Sequence, residues 1–196
     1  MSILKDLGVP IFTAGGMPSI DLETYTVVAA GLVEKTRSIR WKDLLTMPKG
    51  RVNCRLASVS GWSVRADWEG IRWSDFLKEI SVLPEGRFVR FRSVGGGYST
   101  AVPLEDLENP RVLLAYGVNG DPIEPEYGGP LRMVIPNLWG YKSCKWLGRI
   151  DFISKIEGGY WEDRGYTRSG LIEPGMTLDL NTKTRRPIAG GEITDF

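Results

Sequence analysis

Between Glu126 and Asp151 the chain reads YGGPLRMVIPNLWGYKSCKWLGRI, a run that carries Arg132, Lys142, Lys145 and Arg149 and no acidic residue. That combination suits an anion, and phosphate above all. A planar guanidinium binds two oxygens at once, while lysine, serine and backbone N–H groups of a Gly-containing loop complete the shell. The same run also reads as a solvated basic face. A second candidate, SVGGGYST, sets three glycines before Tyr98 and a polar pair, Ser99 and Thr100, where backbone can approach a ligand closely. It equally reads as a plain turn or bulge. It is neither a GxGxxG opening a helix nor a Walker loop, so dinucleotide and P-loop readings lack their structural context.

The chain of 196 residues has no histidine, which removes Ser-His and Cys-His nucleophile pairs and the common zinc sites. Proton transfer then falls to Tyr, Lys, Asp, Glu or water. Strand parity in RVNCRL puts Cys54 on the inner face with Val52 and Leu56, so this thiol reads as a small core side chain. Cys54 and Cys144 lie outside any CxxC pattern, which fits a reducing compartment. The N-terminus shows no basic n-region, and nowhere do about 18 apolar residues run together. The expectation is a cytoplasmic protein without a membrane span. A formal net charge of +1 gives no global field for nucleic acid. The rings of Trp62, Trp68, Trp139, Trp146 and Trp161 line a pocket or fill the core, and the carboxylate pairs Glu105–Asp106 and Glu124, Glu126 are too generic to indicate a hydrolase.

Short elements must position these residues. YTVVAAGLV, RVNCRL, RFVRFRSV, VLLAYGV, LRMVIP and IDFISKI read as strands, and Asn119-Gly120 reads as the turn of a hairpin. WKDLLTMP is a short helix stopped by Pro48, PLEDLENP a second, and IRWSDFLKEI a third whose Trp73, Phe76, Leu77 and Ile80 form one apolar stripe. The expected class is α+β, strand-rich mixed sheets with short helices, in a single domain over 1–196. The tail 171–196 reads as loop-rich.

Taken in order, these segments resemble the molybdopterin-binding domain of the sulfite oxidase superfamily, most strongly over 22–170. EPEYGGPLRMVIPNLWGYKSCKWLGRI is similar to the family's strand with its arginine, proline and Gly-x-Lys/Arg-Ser-x-Lys-Trp loop. VSGWSV, DWEGIRWSDFL, GGYST and GYWEDRGY resemble the bacterial and archaeal branch that includes the catalytic subunit of periplasmic methionine sulfoxide reductase. The resemblance implies a sulfite-oxidase-type fold and a molybdopterin cofactor held by Arg132, Lys142, Ser143 and Lys145, with Gly96, Gly97 and Tyr98 bordering the pocket. It implies oxygen-atom transfer to or from a small sulfur- or nitrogen-containing substrate, with an electron-transfer protein as a possible partner. The family's molybdenum-binding cysteine falls at Ser58, and its usual His before Gly-Gly-Pro, Asp before Gly-Gly-Tyr and late His are Tyr127, Gly95 and Thr167. Tyr98, Tyr127 or a metal-bound water would then handle protons. Serine is a harder ligand than thiolate and must lose a proton to serve. Two readings follow: an oxidoreductase with altered metal ligation at Ser58, or a non-catalytic pterin-binding or protein-interaction domain on the same fold.

Overall fold

The computed structural model describes residues 2–196. In chain order the elements are α1 (Ile3–Asp6), β1 (Thr26–Gly31), β2 (Arg37–Arg40), α2 (Trp41–Leu44), β3 (Lys49–Ser58), β4 (Trp62–Arg72), α3 (Trp73–Leu77), β5 (Phe88–Ser93) and β6 (Ser99–Pro103). They continue with β7 (Leu113–Val118), β8 (Asp121–Pro122), β9 (Arg132–Val134), β10 (Leu147–Ile153), β11 (Gly175–Asp179) and β12 (Thr184–Ile188). Short 3-10 turns fill several of the connections. This is the strand-rich α+β architecture that the patterns predict.

One mixed sheet has the order β2-β1-β10-β5-β6, with β1 and β10 parallel. Its inner side chains, among them Val27, Val89, Phe91, Ile150 and Phe152, share a core with Trp73 and Phe76 of α3. The second sheet is built on β4, which pairs with β3 along its whole length and with β11 and then β7 along the opposite edge. Asn119 and Gly120 both take positive φ between β7 and β8, the conformation a tight hairpin demands. β3 buries Val52, Cys54 and Leu56 as parity requires.

One expectation fails here, and one strand departs from its parity, for one reason. Arg55 lies on the face opposite Cys54, where strand parity points to water, yet it is 2% exposed and its Nη1 donates to Asp179 at 2.8 Å. The tail that reads as loop-rich folds into the β11–β12 hairpin, whose strand β11 joins β4 in parallel and brings Asp179 over that arginine. β11 turns polar Thr177 and Asp179 inward and leaves Met176 exposed, an inversion of the alternation that marks a strand.

Candidate functional site

The 125–146 segment, the β3–β4 turn and the start of β6 meet around a cavity of about 240 Å³. Aromatic rings make up much of its wall, with Trp62, Trp68, Trp146, Trp161 and Tyr166 among them, and Ser58, Tyr98, Tyr127, Arg132, Ser143 and Lys145 also line it. Six of the candidate cofactor, metal and proton-transfer residues therefore converge, together with four of the five tryptophans singled out in the sequence, Trp139 being the exception. Gly96 and Gly97 do not: they lie on the loop before Tyr98, outside the cavity wall, and Gly97 packs on Gly15 instead.

Arg132 sits on β9 with its guanidinium buried. Nη1 donates to the Tyr127 carbonyl at 2.7 Å, Nε to that of Met133 at 3.2 Å and Nη2 to that of Ser143 at 3.3 Å. A guanidinium has five N–H groups, so one on each terminal nitrogen is left without an acceptor among the described residues. Burial pulls its pKa down to about 10, and it stays cationic at neutral pH. Lys145 donates to the carbonyls of Phe12 at 3.0 Å and Glu126 at 2.8 Å. Burial, then the charge of Arg132, lower its pKa to about 7, while the Glu126 carboxylate only partly offsets them. Its aliphatic stem crosses Gly128, whose φ is +103° and where a Cβ would meet the lysine Cγ at 2.7 Å. Neither cation has a carboxylate ion-pair partner among the described residues. Ser143 is structural in part, since its Oγ accepts from the Ile135 N–H at 3.0 Å and fastens the loop to the segment following β9.

Lys142 goes elsewhere. Its ammonium is fully buried, and its three protons are taken by Glu162 Oε1 at 2.6 Å, the Ala101 carbonyl at 2.8 Å and the Arg168 carbonyl at 2.7 Å. The expectation that it belongs to the pocket shell is corrected by that geometry, which leaves no donor for a ligand. Arg149 pairs with Asp151 on β10, also outside the cavity.

Ser58 closes β3 at the rim. Its Oγ shares a hydrogen bond of 2.7 Å with Ser60 Oγ and accepts from the Ser60 N–H at 3.2 Å. The two thiols are remote from it in character: Cys54 and Cys144 are buried, outside the cavity wall, and burial pushes both to about 12. No thiolate lines the cavity, and among the described residues no group of three or more His, Cys, Asp or Glu side chains could hold a metal ion. The phenols of Tyr98 and Tyr127 donate to the carbonyls of Tyr141 and Val9, and burial raises both pKa values. Both are neutral donors at ordinary pH and neither is poised as a base.

The N-terminal segment was missed in the sequence. Val9, Pro10, Phe12 and Ala14 form part of the wall, with the Phe12 ring 5.2 Å from that of Trp161. Trp161 and Tyr166 stack at 4.8 Å. The aromatic density of GYWEDRGY was the available signal for the latter pair; nothing in IFTAGG marked the former.

Residues 14–161 match the family described as the oxidoreductase molybdopterin binding domain. An uncharacterized oxidoreductase, YuiH, of Bacillus subtilis is 34% identical over 164 residues, covering 82% of each chain. Arabidopsis thaliana sulfite oxidase is 30% identical, over 88% of this chain and 53% of its own. The protein-methionine-sulfoxide reductase catalytic subunit MsrP of Xanthomonas axonopodis is 29% identical, over 88% and 59%. The chain thus spans most of the Bacillus protein and between half and three fifths of the other two. In fold it is similar to the sulfane dehydrogenase SoxCD of Paracoccus pantotrophus, with a TM-score of 0.69 at 21% identity over 90% of this chain and 47% of that one.

Proposed function

The chain belongs to the oxidoreductase molybdopterin binding domain family, and from that premise we propose that the cavity seats a molybdopterin whose phosphate end rests on Arg132 and Lys145. The observation that carries this reading is a buried guanidinium, Arg132, beside a half-buried ammonium, Lys145, neither of them paired with a carboxylate among the described residues. A buried charge normally has a counterion or costs several kcal/mol, roughly, and clusters of perturbed groups in a cleft mark ligand sites. Arg132 keeps one N–H on each terminal nitrogen without a protein acceptor, and a guanidinium can engage two phosphate oxygens at once. Lys145 adds a point charge held by two carbonyls, and the rings of Trp146, Trp161 and Tyr166 on the wall lower the local polarity, which strengthens each of these contacts. The donor set fits the anionic end of the group and lacks the thiolate expected at its metal end.

When bound with its metal, the group supplies oxygen-atom transfer. We assign that chemistry to a small sulfur- or nitrogen-containing substrate, with sulfur favoured because two relatives are a sulfite oxidase and a methionine sulfoxide reductase subunit. Ser58 then stands at the metal-ligand position, Tyr98 and Tyr127 hold protons on the wall, and an electron-transfer protein completes the cycle. Cytoplasmic residence belongs to the same reading, supported by the unpaired Cys54 and Cys144; no helix among the described residues is long and apolar enough to cross a membrane. Ser58 supports a second reading, a pterin-binding domain without metal, because an Oγ held by Ser60 must shed that bond and a proton to ligate.

Pterin fluorescence and elemental analysis of protein from a molybdenum-replete host separate the two. Pterin with molybdenum is the expected result. Pterin alone moves the assignment to the second reading, and neither species removes both.

A further inference from the structure

The cavity is small for the group assigned to it. At about 240 Å³ it falls below the roughly 300–1000 Å³ of pockets that enclose a cofactor-sized ligand. Some part of the wall must therefore yield. Much of the wall is fixed by pairing: Leu56, Trp62, Val64 and Trp68 belong to the strands β3 and β4, and Arg132 to β9, which pairs with β7.

Pro10, Phe12 and Ala14 differ from these. They line the cavity from a stretch, 10–20, that makes no backbone–backbone hydrogen bond among the described residues. The chain before it is anchored, since Leu4 and Val9 are buried and the Val9 carbonyl accepts from the Tyr127 phenol at 3.2 Å. After Ala14 come Gly15 and Gly16, with φ of +74° and +90°, where glycine turns at little steric cost. Ile11 and Phe12 are both 55% exposed, so the segment lies at the surface. Stretches with few backbone hydrogen bonds open at low free-energy cost, and lids are drawn from them. Three contacts hold this one down. Lys145 Nζ donates to the Phe12 carbonyl at 3.0 Å, the Phe12 ring rests 5.2 Å from that of Trp161, and Gly15 packs on Gly97.

We propose that residues 10–16 are a lid on the cavity, opening between Val9 and Gly15–Gly16 to admit the cofactor and closing over it with Lys145 as the latch. The inference rests on the reading of the cavity as a cofactor seat and adds how that seat is filled. An ammonium has three N–H donors; Lys145 gives one to Phe12 and one to Glu126, which leaves the third for an anion. A bound anion favours the charged ammonium and so strengthens its hold on the Phe12 carbonyl. The cofactor thereby tightens its own cover, a shift of population toward the closed form.

Gly15→Cys combined with Gly97→Cys supplies a lock for the test. A Cβ on Gly15 would lie 3.3 Å from the Gly97 Cα, and one on Gly97 3.7 Å from that of Gly15. That is within reach of a disulfide, whose Cβ atoms lie about 3.5–4.5 Å apart. Cys54 and Cys144 are buried and stay out of the exchange. The full chain is made in a host without molybdopterin and offered molybdopterin released from a loaded carrier protein, with uptake followed by pterin fluorescence. The wild type and the reduced double variant should fill alike, and the oxidised double variant on the order of tenfold more slowly, as a gated site requires. Equal rates for its oxidised and reduced forms overturn the lid. A second measurement needs no variant: chymotrypsin should cut the empty wild type after Phe12, and on the order of fivefold more slowly once pterin is bound, because cleavage follows the open population. The same cleavage rate with and without pterin also overturns the lid. Wild-type protein that takes up no pterin overturns the seat itself, a distinct failure that takes this inference with it.

Discussion

Lys142 and Lys145 are three residues apart in one loop, the first fully buried and the second half-buried, and their partners differ in kind. Each carries its aliphatic stem across a glycine at positive φ, Gly170 under Lys142 and Gly128 under Lys145. Lys142 ends on the Glu162 carboxylate, in an ion pair with both side chains at 0% exposure. Lys145 ends on two carbonyls, next to a guanidinium that also lacks a carboxylate. The same contrast separates Arg55, paired with Asp179, from Arg132. Paired buried charges hold strands and loops together here, and unpaired ones face the cavity. The lesson is that burial of a cation does not identify its role; the identity of its acceptor does.

The largest effect should come from breaking the paired side. Glu162→Ala strands the Lys142 ammonium in the interior, and the expected loss is about 3–5 kcal/mol, measured by urea denaturation. The unpaired side should respond differently. Arg132→Met removes a charge that has no counterion, so the loss is confined to three carbonyls deprived of a donor, about 1–3 kcal/mol. Anion binding should meanwhile fall about tenfold or more, since the charge-assisted fork is gone.

Lys145 sharpens the comparison through pH. Its folded-state pKa of about 7 lies below the ordinary lysine value, so between the two the unfolded chain binds the extra proton. Stability therefore rises with pH above about 7 as the penalty of burying the charge is relieved. Anion affinity runs the opposite way and weakens as pH climbs through about 7. Sulfate, whose charge is constant in this range, is the suitable probe, and Lys145→Met should flatten both dependences. The smallest structural effect belongs to Ser58→Cys at the half-exposed rim, within about 0.5 kcal/mol. It should nonetheless raise the molybdenum content of purified protein if a serine ligand is what limits it.

How much of this was legible in the sequence depends on how local the cause is. Val52, Cys54 and Leu56 announce their face by a period of two, Trp73 and Phe76 by helical spacing, and Asn119-Gly120 by turn chemistry. Of the acid-free run, Arg132, Ser143 and Lys145 line the cavity, whereas Lys142 and Arg149 do not. What was hidden comes from partners distant along the chain. Glu162 captures Lys142 from twenty residues away, roughly one strand and a loop later, and the β11–β12 hairpin covers Arg55 through Asp179. β11 itself was invisible because it buries Thr177 and Asp179 and exposes Met176. The wall supplied by Val9 and Phe12 carries no periodic pattern at all. Gly96 and Gly97 read as ligand loop or turn, and the structure places them at a turn.

The central claim is that the unpaired cations hold the pterin's anionic end. Its most direct test is the pterin content of the wild type, Arg132→Met and Trp73→Phe, each purified from the same molybdenum-replete host. The expected result is pterin fluorescence in the wild type and Trp73→Phe, and its loss in Arg132→Met at an unchanged fold. Pterin retained in full by Arg132→Met would contradict the claim.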